Sequence, residues 1–228
     1  MSVYSSFLNL LYPNLCVTCG SDLVKGEQFV CLKCLNEIPK TNYHLLKENP
    51  VEKRFWGKVP IENGTSYFFF HKGSKFQHLL HELKYKNNKE IGEFLGKYAA
   101  VEFLQNDDYK TIDAVIPVPL HPQKELKRGY NQSEWICRGI SEVIKKPTNV
   151  GNLVRVQENT TQTKKSVYER YENTQGIFDL KNPAELEGKH VLLVDDVLTT
   201  GSTIEACMQA LQKTNNIKIS VFTLAIAE

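Results

Sequence analysis

The chain has 228 residues, 41% hydrophobic and 24% charged, which suits one α/β domain plus a small appendage and excludes a disordered or fibrous chain. Its net charge of +2 demands neither nucleic acid nor an anionic membrane, so anion binding has to come from local arrangement. The opening MSVYSSFLNLLYPNLC lacks a basic n-region and a small-residue cleavage site, and its apolar run is too short to span a bilayer. Phe7, Leu8, Leu10 and Leu11 read as a short helix ended by Pro13. No later stretch reaches membrane length, so a cytoplasmic protein without membrane insertion is expected.

Four of the six cysteines follow, as Cys16-x-x-Cys19 and Cys31-x-x-Cys34, with eleven residues between the pairs. Each pair can present two thiolates from a tight knuckle to one tetrahedral Zn²⁺, and Gly20 fits the turn that the first knuckle requires. Two such pairs also suit rubredoxin-like iron, although zinc is commoner in structural sites of this kind. Four protein ligands close the site, so the metal is read as structural. Only Lys25, Lys33 and Lys40 lie nearby, too few to claim a nucleic-acid surface. The chain divides into this module (residues 1–45), a charged connector with Pro50 and Pro60 (46–60), and a third region (61–228) that alternates strand and helix signals.

In that region Ser66–Phe70 reads as a strand and about 74–86 and 89–105 as helices, with Phe76, Leu79, Leu80 and Leu83 on one apolar face. His78 and His81 lie three apart on the first helix with no further ligand evident, and read as an ordinary polar face. Ile112–Ile116 is a short strand stopped by Pro117 and Pro119. A helix is expected over about 132–145, then strands over Leu153–Val156 and Ile177–Leu180. A long polar stretch, 157–175, separates the last two. His190–Val194 is a buried strand, 202–213 a helix and Ile217–Ala227 a final strand. Cys137 and Cys207 fall among apolar residues and are expected in the core. Strand, helix and strand in this order predict an α/β fold, a mostly parallel sheet flanked by helices.

The segment Val191-Leu192-Leu193-Val194-Asp195-Asp196-Val197-Leu198-Thr199-Thr200-Gly201-Ser202-Thr203 carries the chemistry. Its two carboxylates stand at the carboxyl end of a buried strand, where open α/β sheets bind ligands. Free N–H groups at the start of the next helix attract an anion such as a phosphate monoester. Thr199, Thr200, Ser202 and Thr203 add hydroxyls, and Gly201 lets the backbone come close. Adjacent carboxylates suit a ribose diol and would strengthen Mg²⁺ binding nearby. A Walker B strand would need a P-loop, and Gly92-Glu93-Phe94-Leu95-Gly96-Lys97-Tyr98 has one residue too few between its glycines and a tyrosine where a hydroxyl ligand belongs.

The run from Val191 to Thr203 resembles the phosphoribosyl-pyrophosphate signature of type I phosphoribosyltransferases. PVPLHPQKELKRGYNQSE (117–134), Leu83-Lys84-Tyr85, the order Arg155, Thr160 or Thr161, Gln162, Arg170, Asn173 and Phe178, and the cysteine pairs extend the resemblance to the ComF family over nearly the whole chain. It implies a type I phosphoribosyltransferase fold behind a zinc module. Asp195 and Asp196 are then the catalytic pair on the ribose hydroxyls, and Thr199 to Thr203 hold the 5′-phosphate. Pro117, Val118, Pro119 and Leu120 form the loop for pyrophosphate, with Arg128, Lys84 and Tyr85 as further substrate contacts. Lys124 and Lys127 read as a solvated basic face. The 157–175 stretch corresponds to a loop that closes over the site. The family implies a Mg²⁺-dependent glycosyl transfer linked to DNA uptake or nucleotide metabolism. The other reading is a non-catalytic adaptor that binds single-stranded DNA or competence proteins.

Overall fold

The structure, a computed structural model, describes residues 14–156 and 176–227. Beyond the cysteine knuckles, helices α1 (Leu32–Asn36) and α2 (Pro50–Lys53) precede strand β1 (Gly64–Phe70). Helices α3 (Gln77–Tyr85) and α4 (Glu90–Phe103) come next, then strand β2 (Ala114–Pro117) and helices α5 (Pro122–Arg128) and α6 (Gln132–Ile144). The chain continues through β3 (Leu153–Arg155), β4 (Phe178–Leu180), β5 (His190–Leu198), α7 (Ser202–Leu211) and β6 (Lys218–Ala227). No described helix is long and apolar enough to cross a membrane.

Strands β1, β6, β5 and β2 pair in that order as a wholly parallel sheet, while β3 and β4 form a separate antiparallel pair. A parallel sheet is stable only when both faces are covered. Strand β5 shows how this is met: Leu192 and Val194 enter one core and Val191 and Leu193 the other. The first core takes α3, α4, α6 and the cysteine module, with Leu83, Leu95, Ile136 and Cys34 fully buried. The second takes α7, the β3–β4 pair and the connector, with Met208, Val51 and Phe55 fully buried. Cys137 and Cys207 sit one in each core, as their helical spacing predicts.

Three elements differ from the sequence-based expectation. Strand β5 runs on to Leu198, because β6 is long enough to pair with it beyond the acidic residues, through Asp195↔Thr223 and Val197↔Ala225. The basic stretch 122–128 is a helix: His121 accepts from the Gln123 amide, Pro122 opens the first turn and Gly129 closes the last. The connector is not mere linker, since Asn49 caps α2 by accepting from the Val51 and Glu52 amides and also donates to three backbone carbonyls. The Gly92–Gly96 stretch, weighed above as a P-loop, lies inside α4. A methyl group on Gly96 would stand 2.4 Å from the Ile136 carbonyl oxygen, and one on Gly139 2.0 Å from that of Glu93, so these glycines let α4 and α6 pack backbone to backbone.

Candidate functional site

Backbone topology alone brings the predicted residues toward one place. The loops after β5 and β2, adjacent parallel strands, leave the sheet at the same carboxyl edge. The Val118 amide donates to the Val194 carbonyl (2.9 Å), which ties the 117–120 loop to the strand that carries the acids. Asn131 reinforces the join: its side-chain N–H donates to the Val118 carbonyl and its oxygen caps α6 at the Ser133 amide. Both backbone groups of Val118 are thus occupied, and Pro117 and the Val118 side chain are buried. Within the predicted loop the half-buried Pro119 and Leu120 are what remains open.

The two carboxylates have different partners. Asp195 accepts from the Ser133 hydroxyl (3.0 Å) and from the Asp196 amide (2.9 Å). Burial, and then the neighbouring Asp196 charge, push its carboxyl up to about 7. Asp196 forms an ion pair with Lys84 at 3.0 Å, with side chains only 7% and 23% exposed. Lys84 ends α3, so a helix distant in sequence supplies the counter-charge for the acid that the motif placed here.

Past the acids the chain turns into α7 through Thr199-Thr200-Gly201. Gly201 adopts φ +85°, a backbone that a side chain would strain, and stands just before the first turn of α7. Thr199, Thr200, Ser202 and Thr203 are exposed; the Thr200 and Ser202 hydroxyls lie 3.1 Å apart. Hydroxyls and free N–H groups therefore face the same loop at a positive helix end.

Arg54 was not singled out in the sequence. Its guanidinium donates to the Thr199 carbonyl (2.8 Å), and its side chain would stand 3.0 Å from a Cβ on Gly201, with the Phe55 ring at 3.3 Å. Lys58 pairs with Glu205 of α7 at 3.2 Å. The connector thus lies against the threonine loop, a contact that no local pattern around residue 54 could announce.

The remaining predicted residues, Lys84, Tyr85 and Arg128, gather on a neighbouring surface. Lys84, Tyr85, Asn87, Lys124, Lys127 and Arg128 line an open cleft of about 420 Å³ between the end of α3 and α5. Tyr130 is 7% exposed and its hydroxyl donates to the Leu83 carbonyl, which fixes α3 against the turn before α6. His78 and His81 belong to no described metal-capable cluster. The closing loop expected over 157–175 lies outside the described residues.

At the other end of the chain, the Sγ atoms of Cys16, Cys19, Cys31 and Cys34 all lie within 4.8 Å of one another. Four thiols this close, three of them buried and none in a disulfide, fit one tetrahedral ion such as Zn²⁺. The module is anchored to the sheet domain: Phe69 donates its amide to the Pro39 carbonyl, Thr41 to that of Tyr67, and Leu35 and Ile38 join the first core.

The family model described as Phosphoribosyl transferase domain matches residues 133–226, which include the acidic pair and the threonine loop. Competence protein F of Haemophilus influenzae is 31% identical over 217 residues, covering 93% of this chain and 84% of that protein. The DNA utilization protein YhgH of Escherichia coli (strain K12) is 26% identical over 230 residues, covering 94% and 98%. A hypoxanthine phosphoribosyltransferase structure from Staphylococcus aureus aligns at 18% identity over 60% of this chain and 64% of its own, with a TM-score of 0.38. Cysteine cluster, parallel sheet and a relative 31% identical over 93% of this chain place the chain in the ComF family, as a type I phosphoribosyltransferase fold behind a four-cysteine module.

Proposed function

We propose that this protein binds phosphoribosyl pyrophosphate with Mg²⁺ and transfers its phosphoribosyl group to an acceptor. The observation that carries the reading is the pairing of Asp195 and Asp196 with an open hydroxyl loop at a helix start, at the carboxyl edge of a parallel sheet. In this reading the 5′-phosphate lies on the amides and hydroxyls of 199–203, and the two carboxylates accept from the ribose diol. Mg²⁺, when bound, supplies charge neutralisation to the leaving pyrophosphate. Pro119, Leu120, Lys84 and Arg128 border the place where that group would depart. The acceptor's nucleophile attacks the anomeric carbon, whose bond to pyrophosphate breaks. Lys84 is held by Asp196 and so enters the reaction already oriented.

The cysteine module, in the same proposal, holds a structural Zn²⁺ that ties residues 16–34 together. Elemental analysis of purified protein is expected to find one zinc per chain, and chelation to lower the melting temperature. Well-folded protein with no metal, indifferent to EDTA, would remove zinc from the account.

Calorimetry of phosphoribosyl pyrophosphate with and without Mg²⁺ tests the central claim. Wild type should bind only weakly without Mg²⁺, and Asp195→Ala should lose binding in its presence. The names of the two relatives above, a competence protein and a DNA utilization protein, favour a second reading, in which the domain is an adaptor in DNA handling. Folded, zinc-loaded wild type that ignores phosphoribosyl pyrophosphate and binds single-stranded DNA would establish that reading over the first.

A further inference from the structure

The cleft between α3 and α5 holds, besides the Lys84 and Arg128 that the proposed transfer already uses, Lys124, Lys127 and an aromatic ring that the transfer does not by itself require. Four of its six lining residues are cations, Lys84, Lys124, Lys127 and Arg128, and none is acidic. Lys84 is neutralised by Asp196, but no described carboxylate pairs with Lys124, Lys127 or Arg128. Arg128 bonds only the neutral amide oxygen of Gln132 among its described hydrogen-bond partners. Uncompensated like charges on a shared concave wall raise the local potential and concentrate anions there.

The second feature is aromatic. Tyr85 is 69% exposed, with the Arg128 guanidinium 5.7 Å from its ring centroid and the His81 ring 5.2 Å away. A phenol ring left in water with a cation over it offers a stacking surface for a flat group such as a nucleobase. A bare phosphate or pyrophosphate would use the lysines and leave this ring idle. The volume of about 420 Å³ is that of a small-molecule pocket and suits a single nucleotide rather than a polymer track.

We infer that this cleft binds a nucleoside monophosphate beside the acidic pair, its base against Tyr85 and Arg128 and its phosphate on Lys124 and Lys127. The site is separate from the threonine loop and deepens the proposed function by naming the chemical class of the second ligand. Its role as a second ligand rests on the proposed function, whereas binding in the cleft rests on its own observations, so the two can fail separately.

The probe is AMP, titrated calorimetrically against four full-length proteins. Ser202→Glu places a carboxylate in the threonine loop, and an acid in the first turn is compatible with the helix. Lys124→Gln/Lys127→Gln removes two charges from the exposed face of α5. In the proposal, AMP affinity is unchanged within about twofold in Ser202→Glu, falls about tenfold or more in the double variant and loses most of its salt dependence. Tyr85→Ala weakens AMP about tenfold and leaves inorganic pyrophosphate unaffected. Adenosine, lacking the phosphate, binds wild type at least about tenfold more weakly than AMP. Thermal melting of each variant within a few degrees of wild type shows that the fold is retained. AMP binding lost in Ser202→Glu and kept in the double variant would put the nucleotide in the threonine loop and overturn the inference, as would wild type that ignores millimolar AMP. A Tyr85→Ala protein with wild-type AMP affinity would reduce the cleft to a plain anion hole. Phosphoribosyl pyrophosphate bound equally by wild type and Ser202→Glu would instead sink the threonine-loop reading and leave the cleft standing.

Discussion

The two ends of strand β5 bury polar side chains in opposite ways. At the amino end, His190 is 6% exposed and both ring nitrogens are partnered, Nδ1 with the Thr111 hydroxyl at 2.7 Å and Nε2 with the Ser220 hydroxyl at 2.8 Å. Burial lowers its basicity, so the neutral ring is the one the fold holds. Five and six strand positions later, Asp195 and Asp196 place two carboxylates side by side, and Lys84 compensates only one of them. The buried histidine is neutral and fully bonded, whereas the acidic pair crowds two carboxylates against one lysine, an imbalance that the proposed ligand site would use.

That contrast can be broken at either end. His190→Ala removes the Nε2 partner of the buried Ser220 hydroxyl and opens a void, and should cost about 2–3 kcal/mol in chemical denaturation. Affinity for phosphoribosyl pyrophosphate should stay at the wild-type level once the protein is folded. A large affinity loss with unchanged stability would mean that the two ends are not separate in role.

The acidic end should answer to pH. Because burial and Asp196 push Asp195 up to about 7, the folded state binds a proton that the unfolded chain has already lost. Stability therefore falls as pH rises from the ordinary carboxylate range to about 7, and levels off above it. A ligand that needs the ionised pair has the opposite dependence, with affinity weakening roughly tenfold per pH unit below that point. Asp195→Asn keeps an acceptor for Ser133 and for the Asp196 amide. It should flatten both profiles and melt higher than wild type at neutral pH. Persistence of the slopes in that variant would assign them to another group.

The smallest expected effect concerns Arg54. Arg54→Met keeps the aliphatic packing near Gly201 and removes the hydrogen bond to the Thr199 carbonyl. Affinity for phosphoribosyl pyrophosphate should fall about fivefold, with melting unchanged and partial recovery in Arg54→Lys. Equal loss of stability and affinity would make Arg54 a packing residue only.

The elements legible in the sequence are those whose physics is local. Val191 to Val194 form a strand because four consecutive apolar residues can be buried on both faces, and Ser202 to Leu211 form a helix with Ile204, Cys207, Met208 and Leu211 on its buried side. The cysteine spacing likewise announced a four-thiol cluster, since a CxxC knuckle is set by its own turn. Helix α5 is legible as well, through Pro122 in its first turn and Gly129 after its last, although the stretch is read only as a solvated basic face ending in the substrate contact Arg128.

What amino-acid order determined by itself was therefore the inventory: a parallel α/β sheet, a four-cysteine module, an acidic pair and a hydroxyl loop. Only the tertiary structure decided the pairings. Lys84 meets Asp196 across 112 positions of sequence, Ser133 meets Asp195, Arg54 reaches the Thr199 carbonyl, and Tyr85 shares a cleft with Arg128. Periodicity and motif spacing report forces between residues near each other in the chain. These contacts instead depend on how α3, α6 and the connector dock on the sheet, which is settled by the packing of both cores at once.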